Sequence, residues 1–525
     1  MEETAGQSPR DFRGAGSAPE AVRSVDAPDD ELARLDAVAT AELVRRGELQ
    51  PREVIERAIE RVRAVEPHLN AVEVADFARA IEAAGSAATT APFAAVPTFI
   101  KDMIDVAGLP TRWGTRALDE AGPKKKTEPL AAQMFAMGMI ALGKSTMPEI
   151  GFAPSTEFPH RAPTRNPWNL DRSAGGSSGG AAALVAAGAV PIAHAADGGG
   201  SIRIPAVVCG LVGLKPSRGR LIPPPGPNLE PVQNTVHGVV TRSVRDTALY
   251  FAEAERRYRN PHLKPVGHVT TPLRRRLRIG AFSEAPTGHA TDAATRAAFD
   301  ATVALLEELG HRVEPVAAPI DSRFADDFVL LYGMYGFAVS RLGARLFAPT
   351  FDATKLTDLT RGLARQFRRN LHKAPAAILR LRRSPRRYAE TFRNCDVILT
   401  PTLTHVAPPL GQLGLDLPFA TLFPRTLAWL GFTPLANATG APAISLPLGF
   451  DAATNLPVGM MFSAALGDEA LLLELALELE QARPWPSLGR RAPNGTAAPR
   501  RLPPASRVAS AARAESSHPR RAGRR

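Results

Sequence analysis

Residues 175–180 read Gly-Gly-Ser-Ser-Gly-Gly, and residues 197–205 read Asp-Gly-Gly-Gly-Ser-Ile-Arg-Ile-Pro, with an alanine-rich run between them. Two serines, Ser177 and Ser201, each follow at least two glycines. Glycine lets backbone approach a ligand closely and reach positive φ, so that amide N–H groups can point at an anion. Free amides beside a hydroxyl are the raw material of an oxyanion site. Ala181 to Ala189 is mostly Ala, Leu, Val and Gly, which predicts a short buried helix joining the two turns. The unit is turn, buried helix, turn, with a serine at each end. It contains no base.

Composition narrows the field around that unit. Of 525 residues, 44% are hydrophobic, enough for one large core or two ordinary ones. The two cysteines, Cys209 and Cys395, exclude a disulfide framework and a multi-cysteine metal site, and suit a reducing, cytoplasmic setting. Cys209 lies in an apolar run and reads as a small core residue. The polar stretch Met1–Glu31 has no apolar segment of signal-peptide type. No window approaches the ~18 consecutive apolar residues of a membrane span.

The net charge of +12 suggests nucleic acid until its distribution is read. Residues 487–525 hold ten arginines against one glutamate, so most of the excess belongs to a Pro/Ala/Arg/Ser tail that cannot form a core. That tail reads as disordered and solvated, with no specific nucleic-acid partner. Residues 1–30 read as a flexible arm and 31–486 as the folded domain.

Along the domain, Val54, Ile55, Ala58, Ile59, Val62 and Val65 recur at helical spacing. Pro51 is placed to start that helix and Pro67 to end it. Phe77–Ala84 reads as a further helix. Ala94 to Asp102 reads as an apolar strand with Lys101 at its end, where a lysine either reaches solvent or is held inside for a reason. Strand, helix, strand patterns over 276–316 and apolar strands at 396–401, 443–447 and 458–462 predict an α/β fold. Residues 325–394 read as helical, with an arginine-rich solvated face.

Two motif matches fail on context. Gly138 to Ser145 fits G-x-x-x-x-G-K-[ST], but its four middle residues are apolar and strand-forming, whereas a phosphate cradle needs open amides leading into a helix. Gly175 to Gly179 fits G-x-S-x-G, yet the preceding 166–174 is polar and turn-like, and no histidine has a distinctive setting.

Taken together, these residues resemble the amidase signature family. The resemblance rests on the two glycine-serine turns, their 24-residue step, Ile100-Lys101-Asp102 upstream, Cys209 to Pro216 downstream, and Leu399-Thr-Pro-Thr402 near the end. It spans about residues 31–486. It implies a mixed β-sheet core sandwiched by helices and an amide hydrolase without metal or other cofactor. It also implies a triad without histidine, with Ser201 as nucleophile, Ser177 as proton relay and Lys101 as base. The resemblance further assigns the oxyanion to the N–H groups of Gly198, Gly199 and Gly200, with Ser201. Ser178, Asp197 and Arg203 read as residues that fix the two turns, while Lys144 and Lys215 receive no role. Positions 196–198 read Ala-Asp-Gly where many members have Thr-Asp-Thr.

The partners expected are a small amide, water and a second copy in a homodimer. Two other readings stay open at this level. One is the glutaminase subunit of a tRNA-dependent amidotransferase. The other is a non-catalytic member whose basic tail binds nucleic acid or membrane.

Overall fold

The computed structural model describes residues 23–26, 30–223, 230–320 and 323–488. Most of the expected arm and nearly all of the expected basic tail lie outside these residues. Val25 is buried, and its N–H donates to the Pro167 carbonyl, so residues 23–26 run against the body of the fold.

Three strands, β1 (Val72–Ala75), β2 (Pro97–Lys101) and β3 (Ile140–Ser145), form a small sheet in the order β1-β3-β2. A hairpin of β4 (Arg165–Asn166) and β5 (Asn169–Ser173) follows. The main sheet uses β6 (Ile192–Asp197), β7 (Val212–Lys215), β8 (Val236–Thr241), β9 (Arg278–Ala281), β10 (Arg312–Pro315), β11 (Val397–Pro401), β12 (Ala443–Asp451) and β13 (Leu456–Ser463). Its order is β10-β9-β11-β13-β12-β7-β8-β6. β9 pairs in parallel with β10 and β11, while the other pairs are antiparallel, so the sheet is mixed as expected. Crossovers such as β9–helix–β10, through Ala293–Glu308, supply the parallel part.

Helices cover both faces. The helix Gly179–Ala186 is buried at every position, because its sequence offers only glycine and apolar side chains. It leads into β6, whose register with β8 runs from Ile192 opposite Thr241 to Asp197 opposite Val236. β6 therefore delivers Asp197 and the glycine turn at one end of the main sheet. β2 lies against β6, tied by the Lys101 N–H donating to His194 Nδ1 at 3.2 Å.

Several local expectations shift. The helix begun by Pro51 continues through Pro67 to Leu69 and ends at Asn70, which adopts the left-handed conformation. A proline so near a helix end sacrifices only one backbone bond, which the last turn tolerates. The polar stretch before Ala174 is the hairpin β4–β5 rather than an open turn; its Asn166 and Asn169 side chains hold the reversal by accepting from Trp168 and Asp171 N–H groups. The stretch after Arg257 is irregular but packed, with Leu263, Val266, Val269 and Leu273 buried. No described helix is long and apolar enough to cross a membrane.

Candidate active site

The last residue of β2 is a lysine that never reaches water. Lys101 is 1% exposed, flanked in its strand by Phe99 and Ile100. Its Nζ lies 2.7 Å from Ser177 Oγ, 2.9 Å from Ser178 Oγ and 3.4 Å from the Ala196 carbonyl. Burial pushes its pKa down to about 7, against the pull of the Asp197 charge in the other direction. The amine is thus poised to exchange a proton near neutral pH.

The turn carrying Ser177 is held by close backbone approach. A Cβ on Gly176 would meet the Pro154 carbonyl carbon at 2.8 Å, and one on Gly180 would meet the Ala71 oxygen at 2.6 Å. Larger residues at either place would displace the serines from Lys101. Ser178 Oγ donates to the Ala196 carbonyl and accepts its N–H, both at 3.3 Å, so Ser178 stitches this turn to β6.

The second turn is fixed by an ion pair. Asp197 and Arg203 are both fully buried, with Arg203 Nε donating to Asp197 Oδ2 at 2.9 Å and a terminal nitrogen donating to Oδ1 at 3.0 Å. Burial pushes the Asp197 carboxyl up, but the Arg203 charge and its hydrogen bonds, with Asn437, hold it well below the usual carboxylate range. Arg203 also donates to the Thr433 carbonyl and to Asn437 Oδ1, which ties the turn to the helix Pro434–Thr439.

Within the turn each carbonyl is gripped. Asn234 Nδ2 donates to the Gly198 carbonyl at 2.7 Å, and Thr433 Oγ1 donates to the Gly199 carbonyl at 2.6 Å. A peptide N–H points opposite its carbonyl, so pinning the Gly198 oxygen aims the Gly199 amide away from Asn234. The Gly200 amide departs from the sequence-based expectation. It donates to Asp197 Oδ1 at 2.7 Å and is already engaged. The Gly198, Gly199 and Ser201 amides donate to no protein acceptor among the described residues. Gly200 adopts φ +138°, and a Cβ there would meet Thr433 Oγ1 at 2.4 Å, so only glycine fits.

Ser201, 9% exposed, opens onto a cleft whose empty space, with the open solvent at its mouth, is about 920 Å³. Gly199 lines the same cleft, as does Gly151, whose missing Cβ would stand 3.2 Å from Ser177 Oγ. The cleft therefore touches the Ser201 turn and reaches the backbone beside Ser177. Its remaining walls are mostly apolar, chiefly Phe324 and Phe328 of the helix Phe324–Leu346, Leu359 and Leu363 of Asp358–Arg369, and Leu427 and Leu430 of Phe419–Leu430, with the hydroxyl residues Thr287, Tyr332 and Thr426 among them. No charged side chain lines it among the described residues.

Among the described residues, no histidine hydrogen-bonds to either serine. His194 and His237 are buried and stacked behind Lys101, with His194 Nε2 3.2 Å from His237 Nδ1. Burial lowers both pKa values, that of His237 to about 4. The lysine of the failed phosphate-loop match, Lys144, is buried 2.6 Å from Asp102 Oδ1 and donates to Thr111 Oγ1 at 2.7 Å. Lys215, also buried, donates to the Pro216 carbonyl at 2.7 Å. Asn234, Thr433, Asn437 and Gly151 went unread in the sequence because each stands in an undistinguished loop or helix end.

Comparisons with known proteins give the family. The family model described as Amidase matches residues 53–473. A putative amidase AmiC of Mycobacterium tuberculosis is 49% identical over 468 residues, covering 89% of this chain and 98% of the relative. A 6-aminohexanoate-cyclic-dimer hydrolase of Paenarthrobacter ureafaciens is 35% identical, covering 86% and 95%. The solved structure of a 6-aminohexanoate cyclic dimer hydrolase complexed with substrate superposes with a TM-score of 0.78 at 32% identity, covering 88% of this chain and 99% of that one. With the family model spanning most of its length and relatives matched nearly end to end, this chain belongs to the amidase family of amide-hydrolysing enzymes.

Proposed function

We propose that the protein hydrolyses uncharged carboxylic amides through an acyl-enzyme on Ser201, with Ser177 as proton relay and Lys101 as base. The observation that carries this reading is the 2.7 Å contact between Ser177 Oγ and a fully buried lysine whose pKa is lowered to about 7. An ordinary lysine, with a pKa of about 10.4, is charged at neutral pH and cannot accept a proton.

In the acylation step, Ser201 Oγ attacks the carbonyl carbon, its proton passes to Ser177, and the Ser177 proton passes to Lys101. The oxygen of the tetrahedral adduct gains charge facing the unengaged amides of the 198–201 turn. The C–N bond breaks as the proton returns from Lys101 through Ser177 to the leaving amine. Water then attacks the ester by the same relay, releasing the acid and restoring Ser201.

The walls of the cleft indicate what enters. A lining without charge favours acyl groups that carry none, because a carboxylate or ammonium would lose its hydration without a partner. The cyclic dimer of 6-aminohexanoate, named for one relative, has no free carboxylate or ammonium group, so cyclic and linear neutral amides both suit the cleft. The same lining disfavours glutamine, whose α-amino and α-carboxylate groups would lack partners, and so weakens the glutaminase reading.

A substrate panel tests this. Hexanamide, an acyl anilide and the cyclic dimer should be hydrolysed with kcat/KM well above that for glutamine, and Ser201→Ala should abolish all of it. Preferred hydrolysis of glutamine would overturn the substrate class, and an active Ser201→Ala variant would overturn the mechanism.

A further inference from the structure

Among the polar side chains lining the cleft that the amide-hydrolysis scheme leaves unused, Thr287, Tyr332 and Thr426, one stands against the Ser201 turn. Tyr332, from the helix Phe324–Leu346, lines the cleft together with Ser201 and Gly199. Its Oη lies 2.7 Å from where a Cβ on Gly199 would sit and 3.2 Å from the same point on Gly198. The hydroxyl therefore stands directly over the turn whose amides face the reacting carbonyl.

Three observations say what it does there. The Tyr332 hydroxyl makes no hydrogen bond to protein among the described residues, unlike that of Tyr335, whose one proton has the Val232 carbonyl at 2.9 Å and Asn234 Oδ1 at 3.0 Å as acceptors. Half-buried and facing the cleft, a phenol with no protein acceptor keeps its proton free for water or a bound ligand. Burial, followed by the Asp197 and Glu230 charges, pushes its pKa up, so the phenol stays protonated and can donate. Its ring is braced by Phe328, Tyr335 and Phe152, with centroids 5.1, 6.0 and 6.0 Å away, so the hydroxyl has little freedom to turn elsewhere.

We propose that Tyr332 is a catalytic residue whose hydroxyl donates a hydrogen bond to the acyl oxygen as it gains charge, supplementing the backbone amides of the glycine turn. The inference rests on Ser201 as the nucleophile. A turn in which the Gly200 amide is already committed to Asp197 has one donor fewer than its glycine count suggests, and Tyr332 stands where a replacement is useful. No covalent change occurs at tyrosine. The proton remains on its oxygen throughout, and only the strength of the hydrogen bond changes.

Tyr332→Phe removes one oxygen and leaves the ring packing in place. The test measures its kcat and KM on a neutral amide, together with inhibition by hexanal, whose hemiacetal on Ser201 places an oxygen where the oxyanion forms. A 13C-labelled carbonyl and the Ser201→Ala variant first establish that the adduct forms on Ser201. Absence of that adduct would sink the nucleophile assignment separately from Tyr332. The expected result is a fall in kcat of about 10²-fold, the scale for loss of one oxyanion donor. KM should change little, and hexanal inhibition should weaken by a similar factor. Unchanged kcat, or a rise in KM alone, would overturn the proposal. Tyr332→Met serves as a second variant if the first melts early, and it should lose kcat to the same extent while also raising KM.

Discussion

Lys101 Nζ and Ser177 Oγ meet at 2.7 Å although 76 positions separate them in the chain. The contact needs two independent events: β2 must bury its last residue, and the 175–180 turn must bring its serine beneath that residue. In the proposed working state neither partner is charged, so the relay runs between two neutral, buried groups. This arrangement ties reactivity to one titration.

The rate should follow that titration directly. Only neutral Lys101 accepts a proton, and its pKa is lowered to about 7 by burial. On a neutral amide, log kcat/KM should rise with unit slope below pH 7 and level off above it. A profile measured from pH 5.5 to 9 that falls over this range would exclude lysine as the base.

Stability should show the opposite face of the same group. Lys101 binds its proton more weakly folded than unfolded, so between about pH 7 and the ordinary lysine range the unfolded chain holds more protons. Stability from this group therefore rises with pH through that window, and the penalty for burying the charge is greatest at or below pH 7. Lys101→Met should be inactive yet gain Tm relative to the parent, more at pH 6 than at pH 9. Melting curves at the two pH values decide it, and an equal shift at both would contradict the linkage.

The two adjacent serines should separate cleanly. Ser177→Ala breaks the relay, and a lost proton-transfer group costs about 10²–10⁴-fold in rate. Ser178 accepts from Lys101 at 2.9 Å but also binds the Ala196 backbone, so its loss loosens the lysine without removing a transfer step. Ser178→Ala should therefore lose only about tenfold, below the range for loss of a proton-transfer group. Equal losses in the two variants, measured as kcat, would mean that either hydroxyl can relay.

What the sequence discloses of this site follows from where its parts lie in the chain. Ser177, Ser201, Asp197 and Arg203 sit within one short stretch, and the glycines around them are demanded by contacts such as that of Gly200 with Thr433. Lys101 is recognisable because Phe99 and Ile100 make its strand apolar, although nothing local specifies which serine it meets. Asn234, Thr433 and Asn437 act through backbone carbonyls and a carboxylate that tertiary packing brings to them. Their residue types are common at loop and helix ends, so no spacing marks them. The same limit applies to Tyr332, which lies in a stretch that reads only as helical and arginine-rich until its hydroxyl is found beside Gly199. The hairpin Arg165–Ser173 was hidden for a different reason, since Asn and Asp side chains that close a tight reversal also mark open turns.

The Asp197–Arg203 pair gives the sharpest structural test. Asp197 receives Arg203 at 2.9 and 3.0 Å, the Gly200 amide at 2.7 Å and Asn437 at 2.8 Å, all without solvent. Asn at position 197 would keep the shape but remove the charge, leaving the Arg203 guanidinium buried and uncompensated. Breaking one side of a buried pair costs about 3–5 kcal/mol. Asp197→Asn should lower stability on that scale in urea unfolding at pH 7. It should also lower kcat, because the Gly200 amide loses the carboxylate that fixes the turn. Arg203→Met in the same background should recover part of the stability, since the orphaned charge goes with it. Kcat should remain low in the double variant, because a neutral amide oxygen still holds the Gly200 amide more weakly than the carboxylate does. Recovery of full activity there would show that the pair serves folding alone.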